Sequence, residues 1–253
     1  MSVIGIITCE ILELEFAHLL TGDSEVEQIT ILEDRRAARF IEALEAGGNR
    51  SFRCIPHIKG FLREPSDRIE VLVRVLEFAL HRKKEILQQA LVRAAHELSA
   101  SVDAILLGYG LCGSALDHPA ELLGVRVPVF IPMDRDHPVD DCVGLLLGGR
   151  SCYYAEQRQA PGTFFMIPGW THHWRRIFGE DFCGADPDTA RRLFAHYERS
   201  LLVLTPVLPE AVMRRNAEEF NQLFGVRVET RQGTLTLLEE AWSAAKTCLQ
   251  QES

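Results

Sequence analysis

The chain contains 253 residues, of which 47% are hydrophobic and 25% are charged. This apolar content is enough to bury a substantial core, so the composition argues against a disordered chain. The formal net charge is −9, and a negative long-range field repels polyanions. The sequence therefore predicts no nucleic-acid partner and no attachment to an anionic membrane surface.

The N-terminus and the cysteine count both bear on the compartment. The apolar run at residues 3–7 is too short for a secretory core, and no basic region precedes it. Other apolar runs are broken by charges before they reach the length of a membrane span. Seven cysteines are an odd number for a disulfide framework. We therefore expect a cytoplasmic protein without membrane spans, whose cysteines are thiols or metal ligands.

The predicted elements alternate between apolar strands and amphipathic helices. Strands are predicted over 3–8, 28–32, 102–107, 127–131, 163–167, 201–205 and 226–230. Helices are predicted directly after the first strand and over 34–46, 66–98 (as one helix or two), from about 140, and over 186–199, 209–223 and 235–248. This alternation predicts an α/β fold with a mainly parallel, Rossmann-like sheet flanked by helices. Residues 1–253 are predicted to form a single α/β domain, and a division into two lobes near residue 155 stays open.

Three of the seven cysteines follow predicted strands. Cys9 comes directly after the first strand, Cys112 follows a strand through a glycine-rich turn, and Cys142 lies at the head of a helix after another strand. Ligands of open α/β sheets bind outside the carboxyl ends of the strands, so we expect these cysteines to share a site. Any one of them alone would be interpreted as a small buried hydrophobic residue.

Thiolates are what both soft metals and nucleophilic chemistry require. Cys9 and Cys142 lie at predicted helix N-termini, where the helix dipole lowers the pKa of a thiol. Cys54, Cys152, Cys183 and Cys248 do not follow predicted strands in the same way. Cys248 is interpreted as helix packing, and Cys152 and Cys183 are only reserve ligands.

The glycines around Cys112 are candidate cofactor-binding residues. Gly108, Gly110 and Gly113 allow a sharp turn and leave room for a ligand near the sulfur. Their spacing fits a dinucleotide-binding loop, but no acidic residue ends a second strand about 20 residues later, and no phosphate-binding Walker loop occurs. The sequence therefore predicts neither NAD nor ATP.

Two polar residues next to the cysteines are candidates for catalysis. Glu10 could act as a base, although charge in a first helical turn explains it equally. Tyr109 could orient a ligand through its hydroxyl or pack its ring across the glycine turn.

A polar loop at residues 134–137 contributes two further candidates. Arg135 and His137 could supply an acid, a base or a carboxylate anchor, and a solvated turn that ends at Pro138 explains the same residues. In the segment 170–174, one of two histidines could complete a tetrahedral site, but an amphipathic surface segment with two buried indoles is the favoured interpretation.

Several segments together resemble a known family. They are Gly-Tyr-Gly-Leu-Cys-Gly at 108–113, the segment 141–148 that begins Asp-Cys-Val-Gly, and Pro-Gly-Trp at 168–170, preceded by a strand that ends in Cys9 and Glu10. They resemble the bacterial and archaeal family known as domain of unknown function 1638 over most of the chain. The Gly-Tyr-Gly-Leu-Cys segment is the most specific part.

The resemblance implies a cytoplasmic α/β protein of the kind that accompanies corrinoid-dependent methyltransferase systems in anaerobes. It also implies a cysteine set, which corresponds here to Cys9, Cys112 and Cys142. Family members often place histidine directly before the third cysteine, whereas this chain has Asp141. Either His137 replaces that histidine or the fourth position stays open.

Three functions are consistent with these patterns. The first is a metal-site protein of one-carbon or metallocofactor metabolism, with an iron–sulfur cluster or zinc on the three cysteines and one open coordination position. The second is a metal-free enzyme that uses a cysteine thiolate on a small molecule. The third is an accessory protein that delivers metal or binds a corrinoid-related protein. An exposed helix could mediate a homo-oligomer.

Overall fold

The computed structural model describes residues 2–48, 51–63, 66–78, 80–179, 189, 192 and 194–251. The strands are β1 (Ser2–Cys9), β2 (Val26–Leu32), β3 (Ser51–Ile55), β4 (Ile69–Leu76), β5 (Ala104–Gly108), β6 (Val129–Phe130), β7 (Met133–Asp134), β8 (His137–Pro138), β9 (Thr163–Met166), β10 (Arg199–Leu204) and β11 (Arg227–Gln232). The helices are α1 (Glu13–Gly22), α2 (Ala38–Gly47), α3 (Lys84–Ser99), α4 (Pro119–Leu123), α5 (Cys142–Leu147), α6 (Arg150–Gln159), α7 (Pro168–Gly179), α8 (Glu210–Phe224) and α9 (Thr236–Gln251). Within these residues, no helix is long and apolar enough to cross a membrane.

A six-stranded parallel sheet dominates the fold, in the order β3-β2-β4-β1-β5-β6. Its central strands are continuous apolar runs, because helices cover both faces of a parallel sheet. In β1, Ile4 and Ile6 belong to the core on one face, and Val3 and Ile7 belong to the core on the other. The predicted α/β fold with a mainly parallel, Rossmann-like sheet is confirmed.

The later strands form a second parallel sheet in the order β11-β10-β9, and β7 and β8 form a short antiparallel hairpin. Phe165 of β9 and Leu201 of β10 belong to the same buried cluster as Ile4 of β1, so the two parallel sheets share a core. Residue 155 lies inside α6, where no linker interrupts the chain. The shared core favours the interpretation as a single domain.

The chain leaves the large sheet in opposite directions after β1 and after β5. It passes from β1 through α1 to β2 on one side, and from β5 through α4 to β6 on the other. Such a reversal leaves a crevice outside the carboxyl ends of the two strands, which is the usual ligand position in an open α/β sheet. Cys9 ends β1 and Cys112 lies in the turn after β5, so both are at this crevice.

The helix predicted over 66–98 is wrong in its first half. Ile69–Leu76 forms β4 between β2 and β1, and the α-helix covers only Lys84–Ser99. A strand that is buried on both faces is apolar on both sides, so hydrophobic periodicity does not distinguish it from a buried helix. The β-branched residues Val71, Val73 and Val75 are the signal that favours a strand.

Six further elements of the described residues are not predicted from the sequence: β3, α4, α6, α7 and the two hairpin strands β7 and β8. β3 is a short edge strand with mostly accessible side chains, and α6 has few aliphatic residues to mark an apolar stripe. The helix predicted over 186–199 lies mostly outside the described residues, as does Cys183, and Arg199 already belongs to β10.

Replacing Trp242 tests the shared core. This side chain is 2% exposed, and its indole N–H donates to Asp23 Oδ2 at 2.6 Å. We expect Trp242→Ala to lower the free energy of unfolding by about 3–5 kcal/mol, because it leaves a large cavity beneath α9. Urea unfolding followed by circular dichroism should still show one transition, since both sheets lose the same core.

The matched control is Leu62→Ala, at a side chain that is 71% exposed. It should change the free energy of unfolding by less than about 0.5 kcal/mol. Two separate unfolding transitions in the unmodified protein would contradict a shared core.

Candidate thiol site

Cys9 is the last residue of β1, and the chain continues from it into a 3-10 turn over Glu10–Leu12. The backbone N–H of Ile11 is directed at the Cys9 sulfur and favours the thiolate. Burial opposes this and, together with neighbouring negative charges, raises the pKa of the Cys9 thiol to about 12. Protein atoms surround the Cys9 side chain on most sides, and a part of its surface stays accessible to solvent.

The turn after β5 carries Cys112 and is held against the segment that precedes α5. The N–H of Leu111 donates to Val139 O at 2.8 Å, and the N–H of Cys112 donates to Asp140 O at 3.0 Å. Because Asp140 is only two residues before Cys142, these bonds bring the backbones that carry the two cysteines side by side.

This turn requires unusual backbone conformations. Gly110 approaches Val139 so closely that an added Cβ would lie 2.6 Å from the carbonyl oxygen. Cys112 and Ser114 have φ angles of 47° and 64°, in the left-handed region that non-glycine residues rarely adopt. Such strain costs on the order of 1 kcal/mol or more per residue and clusters at functional sites. Two strained residues are therefore maintained at the position of the candidate site.

Cys142 is the first residue of α5, and Asp141 caps this helix by accepting the N–H of Gly144 at 2.7 Å. Burial raises the pKa of the Cys142 thiol well above its ordinary value, and the charge of Asp141 raises it further. The indole N–H of Trp170 is directed at the same sulfur, so α7 also reaches the site.

The three thiols lie within electrostatic range of one another. The charge of Cys112 raises the pKa of Cys9, and the charges of Cys112 and Cys9 both raise the pKa of Cys142. Tyr109 lies close to these thiols. Burial raises the pKa of its phenol, and the charges of Cys9 and Cys112 raise it further. Its hydroxyl is buried and has no hydrogen-bond partner of normal geometry among the described residues.

The expected lowering of the thiol pKa values by helix dipoles is wrong. Burial is the largest influence on all three thiols, and it raises the pKa of Cys112 to about 11. α5 has only six residues, and Cys9 leads into a 3-10 turn, so neither dipole is strong. Without a bound cation, the three thiols are therefore protonated at neutral pH.

The sulfurs do not surround a common point. Across the described ranges, no group of three or more His, Cys, Asp or Glu side chains is arranged to hold a metal ion. A shared ion would therefore require at least one thiol of Cys9, Cys112 or Cys142 to reorient. Rotation about the single Cα–Cβ torsion of cysteine moves the sulfur without moving the backbone.

Glu10 lies next to Cys9, but both of its oxygens are occupied. Oε2 accepts the backbone N–H of Phe78 at 3.0 Å, and Oε1 accepts Nη1 of Arg176 at 3.1 Å. The carboxylate is 3% exposed. These contacts explain why Glu10 is buried, and they leave it less available as a base than a solvated carboxylate would be.

The predicted residues of the polar loop lie on the hairpin of β7 and β8. Arg135 is exposed at its turn, with a φ angle of 63°. His137 Nε2 lies 3.3 Å from Nη1 of Arg150, and its Nδ1 lies 3.3 Å from Pro138 O. The ring of His137 therefore contacts Arg150 rather than a thiol.

The glycines differ in their surroundings. A Cβ on Gly108 would overlap Phe16 and Thr8, and a Cβ on Gly110 would overlap Val139, so protein atoms occupy the space beside both. Gly113 has a φ angle of 69° and open space where a Cβ would be. Of the three, only Gly113 faces room for a ligand.

A buried network of charged groups lies next to Cys9 and is not predicted from the sequence. Glu13 is 1% exposed, and its Oε1 lies 3.0 Å from Nε2 of His173 and 2.9 Å from Nη1 of Arg39. The charge of Glu13 contributes to the raised pKa of Cys9. The network thus connects the candidate site to α2 and α7.

α7 packs directly on the chain after β1. A Cβ on Gly169 would overlap the carbonyl oxygen of Ile11, so only glycine permits this approach. His173 and Trp174 are 5% and 4% exposed. The segment is amphipathic, as expected, since Trp174 is buried and Trp170 packs against the core while His172 is exposed. It is more than a surface segment, because α7 covers the end of β1 next to the thiols.

The comparison with known proteins identifies one family. Residues 75–242, more than half of the chain, match the family described as Protein of unknown function (DUF1638). The chain belongs to this family. Within this DUF1638 protein, Cys112, Cys142 and α7 lie inside the matched range, and Cys9 precedes it. No curated protein and no solved structure matches the chain.

A signal for the missed network is present in the sequence. Glu10, Glu13 and Glu15 occur within six residues directly after a buried strand. They resemble the favourable charges of a first helical turn, which are normally solvated. Burial of three carboxylates at the end of a central strand is instead typical of a functional site at that edge of the sheet.

Glu15 gives a test of this burial through the pH dependence of stability. It is fully buried, neither carboxylate oxygen bonds to another of the described residues, and burial raises its pKa to about 8. The unfolded chain loses this proton near pH 4.5, while the folded protein holds it up to about pH 8. The contribution of Glu15 to stability is therefore fully present at low pH and declines across this window.

We expect Glu15→Gln to raise the free energy of unfolding, relative to the unmodified protein, more at about pH 8 than at about pH 5. Urea unfolding at both pH values measures the difference. Glu240→Gln, at an exposed position of α9, should show no such pH dependence. An equal effect of Glu15→Gln at both pH values would mean that Glu15 ionises normally.

The raised thiol pKa values predict slow alkylation. In metal-free protein at neutral pH, Cys9, Cys112 and Cys142 should react with iodoacetamide at least about tenfold more slowly than the exposed Cys54, because the thiolate is the reactive form. Mass spectrometry of timed digests measures each rate. A site cysteine that reacts as fast as Cys54 would contradict the prediction.

Proposed function

We propose that the protein is a metal-site protein in which Cys9, Cys112 and Cys142 bind zinc or an iron–sulfur cluster and leave one coordination position open. The observation that carries this proposal is the convergence of three buried thiols at one edge of the sheet, within range of one another's charge. Three adjacent thiols disfavour one another's ionisation. A soft cation reverses this effect, because it binds the thiolates and releases their protons.

The chemistry of the three donors suits such a cation, although at least one thiol must reorient before the sulfurs can share it. Thiolate sulfur is a preferred ligand of zinc and of iron–sulfur clusters. Structural zinc sites normally have four protein ligands, whereas three ligands with an open position are typical of catalytic metals. The buried hydroxyl of Tyr109 lies beside the same thiols and can donate to a group in the open position.

The charges around the thiols also favour a cation. Glu10 and Glu13 place negative charge near Cys9, and Asp141 does the same near Cys112 and Cys142. These charges oppose the ionisation of a free thiol, but they attract a metal ion.

A metal-free enzyme with a nucleophilic Cys9 or Cys112 is less consistent with these properties. Thiols with pKa values of about 12 and about 11 carry almost no thiolate at neutral pH. A role in one-carbon or metallocofactor metabolism, or as an accessory to a corrinoid methyltransferase system, stays a prediction that rests on the family resemblance.

Metal binding tests the proposal directly. Anaerobically purified protein should bind one zinc ion or one iron–sulfur cluster, measured by elemental analysis and absorption spectra. The triple variant of Cys9→Ser, Cys112→Ser and Cys142→Ser should lose it, because serine is a poor ligand for soft metals. Zinc addition at neutral pH should release close to three protons, since all three thiols are protonated beforehand.

The matched control removes three other cysteines at once. A variant with Cys54→Ser, Cys152→Ser and Cys248→Ser should retain the full metal content. Stoichiometric metal that survives loss of Cys9, Cys112 and Cys142 would reject these ligands, and absence of any bound metal in the unmodified protein would reject the proposed function.

A further inference from the structure

A pocket of about 470 Å³ lies between α3 and the large sheet, near the carboxyl ends of β2 and β4. This volume is within the range of roughly 300–1,000 Å³ that is typical of small-molecule sites. Ligands of open α/β sheets bind at this edge of the sheet. None of Cys9, Cys112 and Cys142 lines the pocket, so an inference about it does not depend on the proposed function.

The floor of the pocket contains an arginine in a central strand. Arg74 of β4 lies on the same face of the strand as Leu72 and Leu76, which belong to the core cluster under α3. Strands that are covered on both faces normally carry apolar residues in such positions. A charged group that is taken out of water costs free energy unless it is paired, so Arg74 needs a partner.

The contacts of Arg74 do not supply this partner. Its Nε is buried and has no hydrogen-bond partner among the described residues, and the carboxylate oxygen Oε2 of Glu97 lies 3.8 Å away, beyond hydrogen-bond distance. The other charged residue of β4, Glu70, is well paired, since its Oε1 accepts Thr30 Oγ1 at 2.8 Å and Arg53 Nη2 at 2.9 Å. Arg74 therefore differs from the other buried charge of its own strand.

Two further guanidinium groups line the pocket, and they differ in their pairing. Arg36 donates to Asp34 at 2.7 Å and to Glu77 at 3.0 Å, so its charge is compensated. Arg93 is exposed on α3, donates to Gln89 O of its own helix at 3.3 Å and makes no ion pair among the described residues. Arg93 therefore has donors that a ligand can use.

Apolar side chains complete the lining of the pocket. Leu76 and Leu80 contribute from the sheet side, and Ala90 and Ala94 contribute from α3. Ala90 and Ala94 are four residues apart, so they lie on one face of the helix, and their small side chains leave space above Arg74. A pocket with apolar walls and a few convergent charges suits a ligand that has a carbon skeleton and a charged group.

We propose that this pocket binds a small organic anion, whose carboxylate or phosphate group bonds to Arg74 and Arg93 and whose carbon chain lies along the apolar walls. A guanidinium binds either oxyanion through two parallel hydrogen bonds, so the ligand supplies the partner that Arg74 lacks. Glu97 is 34% exposed, and a ligand can replace so loose an ion pair at low cost.

Titration calorimetry in a buffer without phosphate or carboxylate tests the proposal with five probes. Butyl phosphate and pentanoate join a charged group to four carbons, pentan-1-ol lacks the charge, and inorganic phosphate and acetate lack the chain. We expect the tighter of the first two to bind at least about tenfold more tightly than pentan-1-ol and than its own chainless counterpart. The ratio between butyl phosphate and pentanoate identifies the charged group.

Variants assign the contacts. Arg74→Gln should weaken binding of the tighter probe about tenfold to a hundredfold and leave pentan-1-ol unaffected. Glu97→Gln should strengthen binding of the same probe, because it removes the carboxylate that competes for Arg74. Arg158→Gln, the same substitution at an exposed position of α6 outside the pocket, is the matched control and should bind every probe normally.

Circular dichroism verifies that each variant is folded. If Arg74→Gln does not fold, Arg93→Gln at its exposed position gives the same test and should also weaken binding. Failure of butyl phosphate and of pentanoate to bind more tightly than pentan-1-ol would overturn the site, and so would normal binding by a folded Arg74→Gln. Metal content enters none of these measurements, so loss of the proposed function would leave their outcome unchanged.

Discussion

The close packing of the turn after β5 against the segment before α5 governs the geometry of the thiol site. Gly110 lets the two backbones touch, and Asp140 O then accepts the N–H of Cys112. The carboxylate of the same Asp140 pairs with Arg150, the first residue of α6. Asp140 therefore holds Cys112 through its backbone oxygen and the start of α6 through its side chain.

Burial of ionisable groups at one edge of the sheet is the second constraint. Three thiols, together with Glu13 and Glu15, are enclosed where β1 ends, although burial of a charged carboxylate is costly. Arg39 and His173 offset part of this cost by bonding to Glu13. The concentration of buried acids and thiols at a switch point of the sheet is typical of a functional site.

The sequence predicts β1 and β5 well, because they are short apolar runs that end in turn residues. It fails at β4, since a strand that is apolar on both faces has no distinctive period. It also misses α7, because this helix begins with Pro168 and Gly169, residues that are typical of a turn. The sequence does predict the position of the candidate cysteines, because residues that follow parallel strands lie at the same edge of the sheet. This prediction does not depend on how the side chains pack.

The sequence by itself determined the α/β class, the parallel sheet and the placement of Cys9 at the end of β1 and of Cys142 at the start of α5. These features follow from local periodicity and from the topology of parallel strands. Only the tertiary structure decided the charge state of the thiols and the pairing of Glu13 with His173, which are 160 residues apart. The physical reason is that desolvation and long-range contacts depend on what packs over a residue, and the local sequence does not encode that neighbour.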